Sequence, residues 1–92
     1  MKKITMFYLE LCPYCRQARK AIAELEKDPR YSSANIEMIE ESEHPDIAER
    51  YDYYYVPSMF IDGKKEYEAH PGESYEECME AVKKVFEKAL AG

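Results

Sequence analysis

Glycine is scarce in this 92-residue chain, cysteines are few, and positive charge is outnumbered by negative. With only three glycines, and no Gly- or Ser-rich stretch, there is no flexible linker to separate independently folded units. Nor does the chain contain a repeat or a low-complexity tract, so it reads as one domain over residues 1–92. A chain of this size buries roughly 60–70% of its unfolded surface, enough for a hydrophobic core without disulfide staples. Three cysteines are too few, and wrong in parity, for a secreted disulfide framework. Only 13 Lys and Arg stand against 19 Asp and Glu, and the resulting net charge of -6 argues against a nucleic-acid backbone or an anionic membrane as partner. Lys2 and Lys3 precede an apolar run, but Glu10 interrupts it and no small-residue cleavage site follows, so a signal peptide is not expected. No stretch approaches the ~18 apolar residues of a membrane span, which leaves a soluble, cytoplasmic protein as the expectation.

What the chain does have is clear periodicity. Ile4-Thr5-Met6-Phe7-Tyr8-Leu9 reads as a strand covered on both faces. Pro13 suits the first position of a helix, with Cys12 at or beside the cap; Ala18, Ala21, Ile22 and Leu25 follow at helical spacing until Asp28-Pro29. Ile36 to Glu40 gives a second strand, reached by a right-handed crossover that makes it parallel to the first. A short helix is expected over Pro45 to Tyr51, a strand over Pro57 to Ile61, a hairpin turn at Asp62-Gly63 and a further strand over Lys65 to Ala69. Ser74-Tyr75-Glu76-Glu77 has capping-box spacing and opens a helix whose buried stripe is Cys78, Met79, Val82, Phe86 and Ala89. Tyr31 to Asn35 and His70 to Glu73 read as connections. The element order is therefore β-α-β-α-β-β-α.

Cys12-Pro13-Tyr14-Cys15 is the sharpest chemical signal, because it lies between a strand and the start of a helix. A spacing of three on a helix brings both thiols to one face, within reach of a disulfide. Cys12 falls at the exposed end, where unpaired N–H groups and the helix dipole favour a thiolate; Cys15, one turn inside, is less accessible and suited to resolving a mixed disulfide. A zinc site would need two further ligands, and only His44, His70 and Cys78 are on offer, without a second Cys-x-x-Cys. Metal binding through Cys12 and Cys15 is therefore the alternative reading, and no metal ligands are assigned. Cys78 reads as a small buried hydrophobe. The nine tyrosines read chiefly as amphipathic packing, except Tyr14, held between the cysteines, and Tyr55, at the end of the Tyr53-Tyr54-Tyr55 run.

Cys12-Pro13-Tyr14-Cys15, followed by Val56-Pro57 and then Phe60-Ile61-Asp62-Gly63, resembles a dithiol glutaredoxin of the thioredoxin superfamily, over essentially the whole chain. The resemblance implies one glutaredoxin-like α/β domain, a four-stranded mixed sheet flanked by three helices. It implies a thiol–disulfide oxidoreductase with Cys12 as nucleophile and Cys15 as resolving thiol, acting on protein or glutathione mixed disulfides without a bound cofactor. Pro57 would be a cis proline, and Val56 would offer its backbone to the bound peptide by strand addition. Pro13, Tyr14 and Tyr55 would flank the substrate. Pro71-Gly72-Glu73-Ser74 stands where the family has Gly-Gly and a nearby Asp, so Gly72, Glu73 and Ser74 are the candidate glutathione carboxylate site. Glutathione or a flavoprotein disulfide reductase would return the protein to its dithiol form. Glu10 stands where many glutaredoxins carry a cation, and Glu73 would face the ligand's carboxylate, so glutathione coupling is expected to be weak. The alternative within the same fold is an electron carrier specific for a protein partner and independent of glutathione.

Overall fold

The computed structural model describes residues 1–91. The elements run β1 (Ile4–Tyr8), α1 (Pro13–Leu25), β2 (Ile36–Glu40), α2 (Pro45–Ala48), β3 (Ser58–Ile61), β4 (Lys64–Glu68) and α3 (Tyr75–Ala91). They form one four-stranded sheet in the order β2-β1-β3-β4, with β1 parallel to β2 and the other pairs antiparallel. This is the thioredoxin-like mixed sheet with three helices that the element order implies.

The central position of β1 follows from its composition. Ile4, Thr5, Met6 and Phe7 are all buried, as a strand covered on both faces requires. Successive side chains alternate between faces, so Ile4 and Met6 join the larger core, where Ala18, Ala21 and Ile22 of α1 meet Cys78, Val82, Val85, Phe86 and Ala89 of α3. Phe7 points the other way and packs with Ile39 and Phe60 beneath Ile47, Ala48, Tyr51, Tyr53 and Val56. Helices α1 and α3 thus share one face, while α2 and the segment after it cover the other.

Several boundaries differ from the sequence expectation by a residue or more, and two of them have a visible cause. The second helix stops at Ala48, and Tyr51 instead lays its ring against Phe7 and Phe60, with centroids 4.7 and 4.8 Å apart. The hairpin is tighter than expected, starting β4 at Lys64, because Asp62 (φ 51) and Gly63 (φ 79) both take the left-handed conformation of a two-residue turn. Tyr31, read as part of a polar connection, is fully buried: its ring meets Phe86 edge-on at 5.6 Å and its hydroxyl donates to Glu87 at 2.6 Å.

Candidate active site

The chain turns from β1 into α1 at Leu9 to Cys12, and that junction builds the site. Cys12 is the N-cap, with extended backbone (φ -80, ψ 122), and Pro13 occupies the first helical position, where its missing N–H costs nothing. The Cys12 Sγ accepts the Cys15 N–H at 3.4 Å, taking the role that a Ser or Asp oxygen fills at other helix starts. It also lies 3.7 Å from the Val56 carbonyl oxygen. Cys12 is partly exposed, whereas Cys15 is fully buried and its Sγ accepts the Leu9 N–H at 3.5 Å. Burial pushes the Cys15 thiol up to about 12; the Leu9 N–H opposes that rise, and proximity to Cys12 adds to it.

The Val56–Pro57 peptide bond is cis, as the resemblance implies, and Pro57 is buried at the end of a tightly fastened loop. One carboxylate oxygen of Glu68 accepts the N–H groups of both Tyr54 (2.6 Å) and Tyr55 (2.7 Å), and the Ser58 hydroxyl donates to the Tyr55 carbonyl at 2.6 Å. Burial pushes the Glu68 carboxyl up, yet its bonds to Lys65, Tyr55 and Tyr54 outweigh that and hold it below the ordinary range. Val56 is thereby held at the edge of the Cys12 thiol, with Tyr55 beside it half exposed.

Tyr14 and the 70–74 loop meet, but not as the sequence reading places them. The Tyr14 hydroxyl accepts the Gly72 N–H at 2.7 Å, and Gly72 has the left-handed φ of +84 that favours glycine. Gln17, one turn further along α1, donates to the carbonyls of Glu73 and Ser74, both at 3.3 Å. The Glu73 N–H goes to the His70 carbonyl, while Ser74 and Glu77 form the reciprocal capping box at 3.0 and 3.1 Å. The backbone donors of Gly72, Glu73 and Ser74 are therefore all engaged within the chain. The Glu73 side chain turns inward, where it accepts the Tyr67 hydroxyl and is only 6% exposed.

Among the described residues no group of three or more His, Cys, Asp or Glu side chains is placed to hold a metal ion, so His44, His70 and Cys78 do not complete a ligand set with the cysteine pair. Cys78 is fully buried as expected, but the Tyr67 hydroxyl lies 3.5 Å from its sulfur. Sequence reasoning missed Glu40, which lines a groove with Leu9, Glu10, Leu11 and Cys12. Its signal was the parallel pairing of β1 and β2, which sets Glu40 opposite Tyr8, just before the turn into the dithiol.

Comparison with known proteins agrees with this geometry. A family model described as a thioredoxin domain matches residues 2–77. The thioredoxin of Methanocaldococcus jannaschii is 30% identical over 82 residues, covering 89% of this chain and 93% of that one. Among solved structures, a mutant thioredoxin from Halobacterium salinarum superposes with a TM-score of 0.63 at 21% identity, covering 96% of this chain and 74% of that one. Thioredoxin 1 from Thermosipho africanus gives 0.60 at 20% identity, covering 94% and 96%. Carrying the fold, the strand-to-helix dithiol and the family match along most of its length, this chain belongs to the thioredoxin domain family.

Proposed function

We propose that the protein is a thiol–disulfide oxidoreductase that cycles Cys12 and Cys15 between dithiol and disulfide, with disulfide-containing proteins as substrates. The observation that carries this reading is the unequal placement of two adjacent thiols. Cys12 is partly exposed at a helix N-terminus, its sulfur accepting a backbone N–H, while Cys15 is fully buried behind it. The Cys12 thiolate attacks one sulfur of a substrate disulfide, forming a mixed disulfide and releasing the other sulfur as a thiolate. Cys15 then loses its proton, attacks Cys12 Sγ and displaces the second substrate thiolate. Two protein thiols become one disulfide, and one substrate disulfide becomes two thiols. A low-molecular-weight thiol or a flavoprotein reductase supplies the two electrons that restore the dithiol, in a reducing compartment such as the cytoplasm. The potential expected lies at about -180 to -270 mV, the span of related dithiol proteins.

The glutaredoxin-type reading, with glutathione as the reductant, rests on the position of Val56 beside Cys12, where a short peptide can add along the backbone. The engaged donors of Gly72, Glu73 and Ser74 make that coupling weak and favour protein disulfides. The deciding experiment offers a disulfide peptide to cysteine variants. Cys15→Ser is expected to accumulate a mixed disulfide on Cys12, seen as a mass adduct, and Cys12→Ser to form none and to turn over no substrate. Adducts on Cys78, or equal loss in all cysteine variants of folded protein, would overturn the assignment.

A further inference from the structure

The groove on one side of Cys12 has a chemistry that a bare dithiol does not need. It is an open groove of about 410 Å³ beside Leu9, Glu10, Leu11, Cys12 and Glu40, with a largely apolar wall, two glutamates and no basic side chain among its lining residues. Leu11 is 85% exposed. Glu40 is held in place: one oxygen accepts the N–H (2.7 Å) and hydroxyl (2.6 Å) of Ser42, the other the Glu10 N–H at 3.2 Å. Across the first turns of α1 lies the opposite character, a smaller pocket lined by Pro13, Arg16, Gln17, Lys20 and Tyr75. The surface around the nucleophile is therefore polarised, acidic on the Leu11 side and basic along α1.

Resting on the dithiol reading above, we propose that the Leu11-side groove is a subsite for a lysine or arginine flanking the substrate's disulfide cysteine. Such a side chain has an apolar stem to lie along Leu9 and Leu11 and a cationic head to meet Glu10 and Glu40. The net charge of -6 favours encounter with cationic segments in general. Glu10 and Glu40 act here on substrate choice and not on the exchange of sulfur bonds.

The test uses reduced protein and two disulfide peptides, identical except that Lys or Glu flanks the cysteine. Reaction is stopped with acid, thiols are alkylated and weighed, and each rate is divided by that of dithiothreitol with the same peptide to remove intrinsic reactivity. The Lys peptide is expected to react about tenfold faster at low salt, equivalent to ~1.4 kcal/mol. The gap narrows to roughly twofold near 1 M salt, where the screening length is about 3 Å. In Glu10→Gln the gap shrinks, and in Glu10→Gln combined with Glu40→Gln it closes. A corrected gap that is absent in wild type, or unchanged in both variants, overturns the subsite and leaves the dithiol reading standing. Failure of the reduced wild-type protein to reduce either peptide overturns the dithiol reading, and the subsite with it.

Discussion

Cys12 and Cys15 are chemically the same residue, and their surroundings divide the labour. Cys12 sits at the cap with partial exposure, whereas Cys15 is fully buried and pushed up to about 12, chiefly by burial. Only a small fraction of Cys15 is therefore thiolate at neutral pH, and the rate of the resolving step is expected to follow that fraction as pH changes. Burial, the leading cause, persists when Cys12 is held in a mixed disulfide. Resolution should therefore accelerate about tenfold per pH unit between pH 6 and 9, because the ionised fraction rises that steeply well below the midpoint. Rapid mixing with acid quench and mass analysis of the mixed disulfide would measure this slope. A plateau in that range would show that Cys15 ionises at lower pH than its burial implies, or that a different step limits resolution.

At the scale of elements, the connection between β4 and α3 is where the molecule ties its site together. Tyr14 and Gln17 reach it from α1, Tyr67 from β4, and the Ser74–Glu77 capping box from α3. Tyr67 matters most to stability, since its hydroxyl meets the buried Glu73 carboxylate and lies beside the Cys78 sulfur. Tyr67→Phe keeps the ring in the core but leaves a buried acceptor without its donor, which costs about 1–3 kcal/mol. Urea unfolding should show a lower midpoint at an unchanged slope, as a loss of stability without a change in compactness. An unchanged midpoint would mean that Glu73 finds water or another donor in the variant. The sequence showed the capping box of α3 and the glycine of this loop, because both are local. It did not show the inward turn of Glu73, because Tyr67 reaches it from a different element.

For the whole molecule, burial of titratable groups makes alkaline pH the vulnerable direction. Burial is the leading cause that raises Cys15, Cys78, Tyr53 and Tyr67 above their ordinary values. An unfolded chain releases these protons around pH 8.5 to 10, while the native state keeps them, so the native state binds more protons and stability falls as pH rises. The effect is absent below about pH 7.5, where both states are protonated, begins with the cysteines and grows through about pH 12. Urea midpoints at pH 7, 9 and 10.5 should fall slightly between the first two, as the unfolded cysteines ionise, and further at the last. A constant midpoint up to pH 10.5 would show that these groups ionise freely in the folded protein. Near the acid end, Glu77 and Glu40 are held below the usual carboxylate range by Ser74 and Ser42 respectively, so their small contribution is lost as pH falls through those values.

The order of elements and the dithiol at the β1–α1 junction were determined by the sequence itself, because each rests on neighbours a few residues apart. Apolar alternation makes a strand, Pro13 starts a helix, Asp62-Gly63 turns a hairpin, and a spacing of three puts Cys12 and Cys15 on one face. Tertiary structure decided what depends on residues distant in the chain. Tyr31 is core because α3 brings Phe86 and Glu87 to it. Gly72 gives its N–H to Tyr14 because α1 and α3 pack on the same face of the sheet. Glu40 joins Glu10 and Leu11 beside the nucleophile because β2 runs parallel to β1, and a hydrophobic pattern that places a strand does not say which side chains its far end will meet.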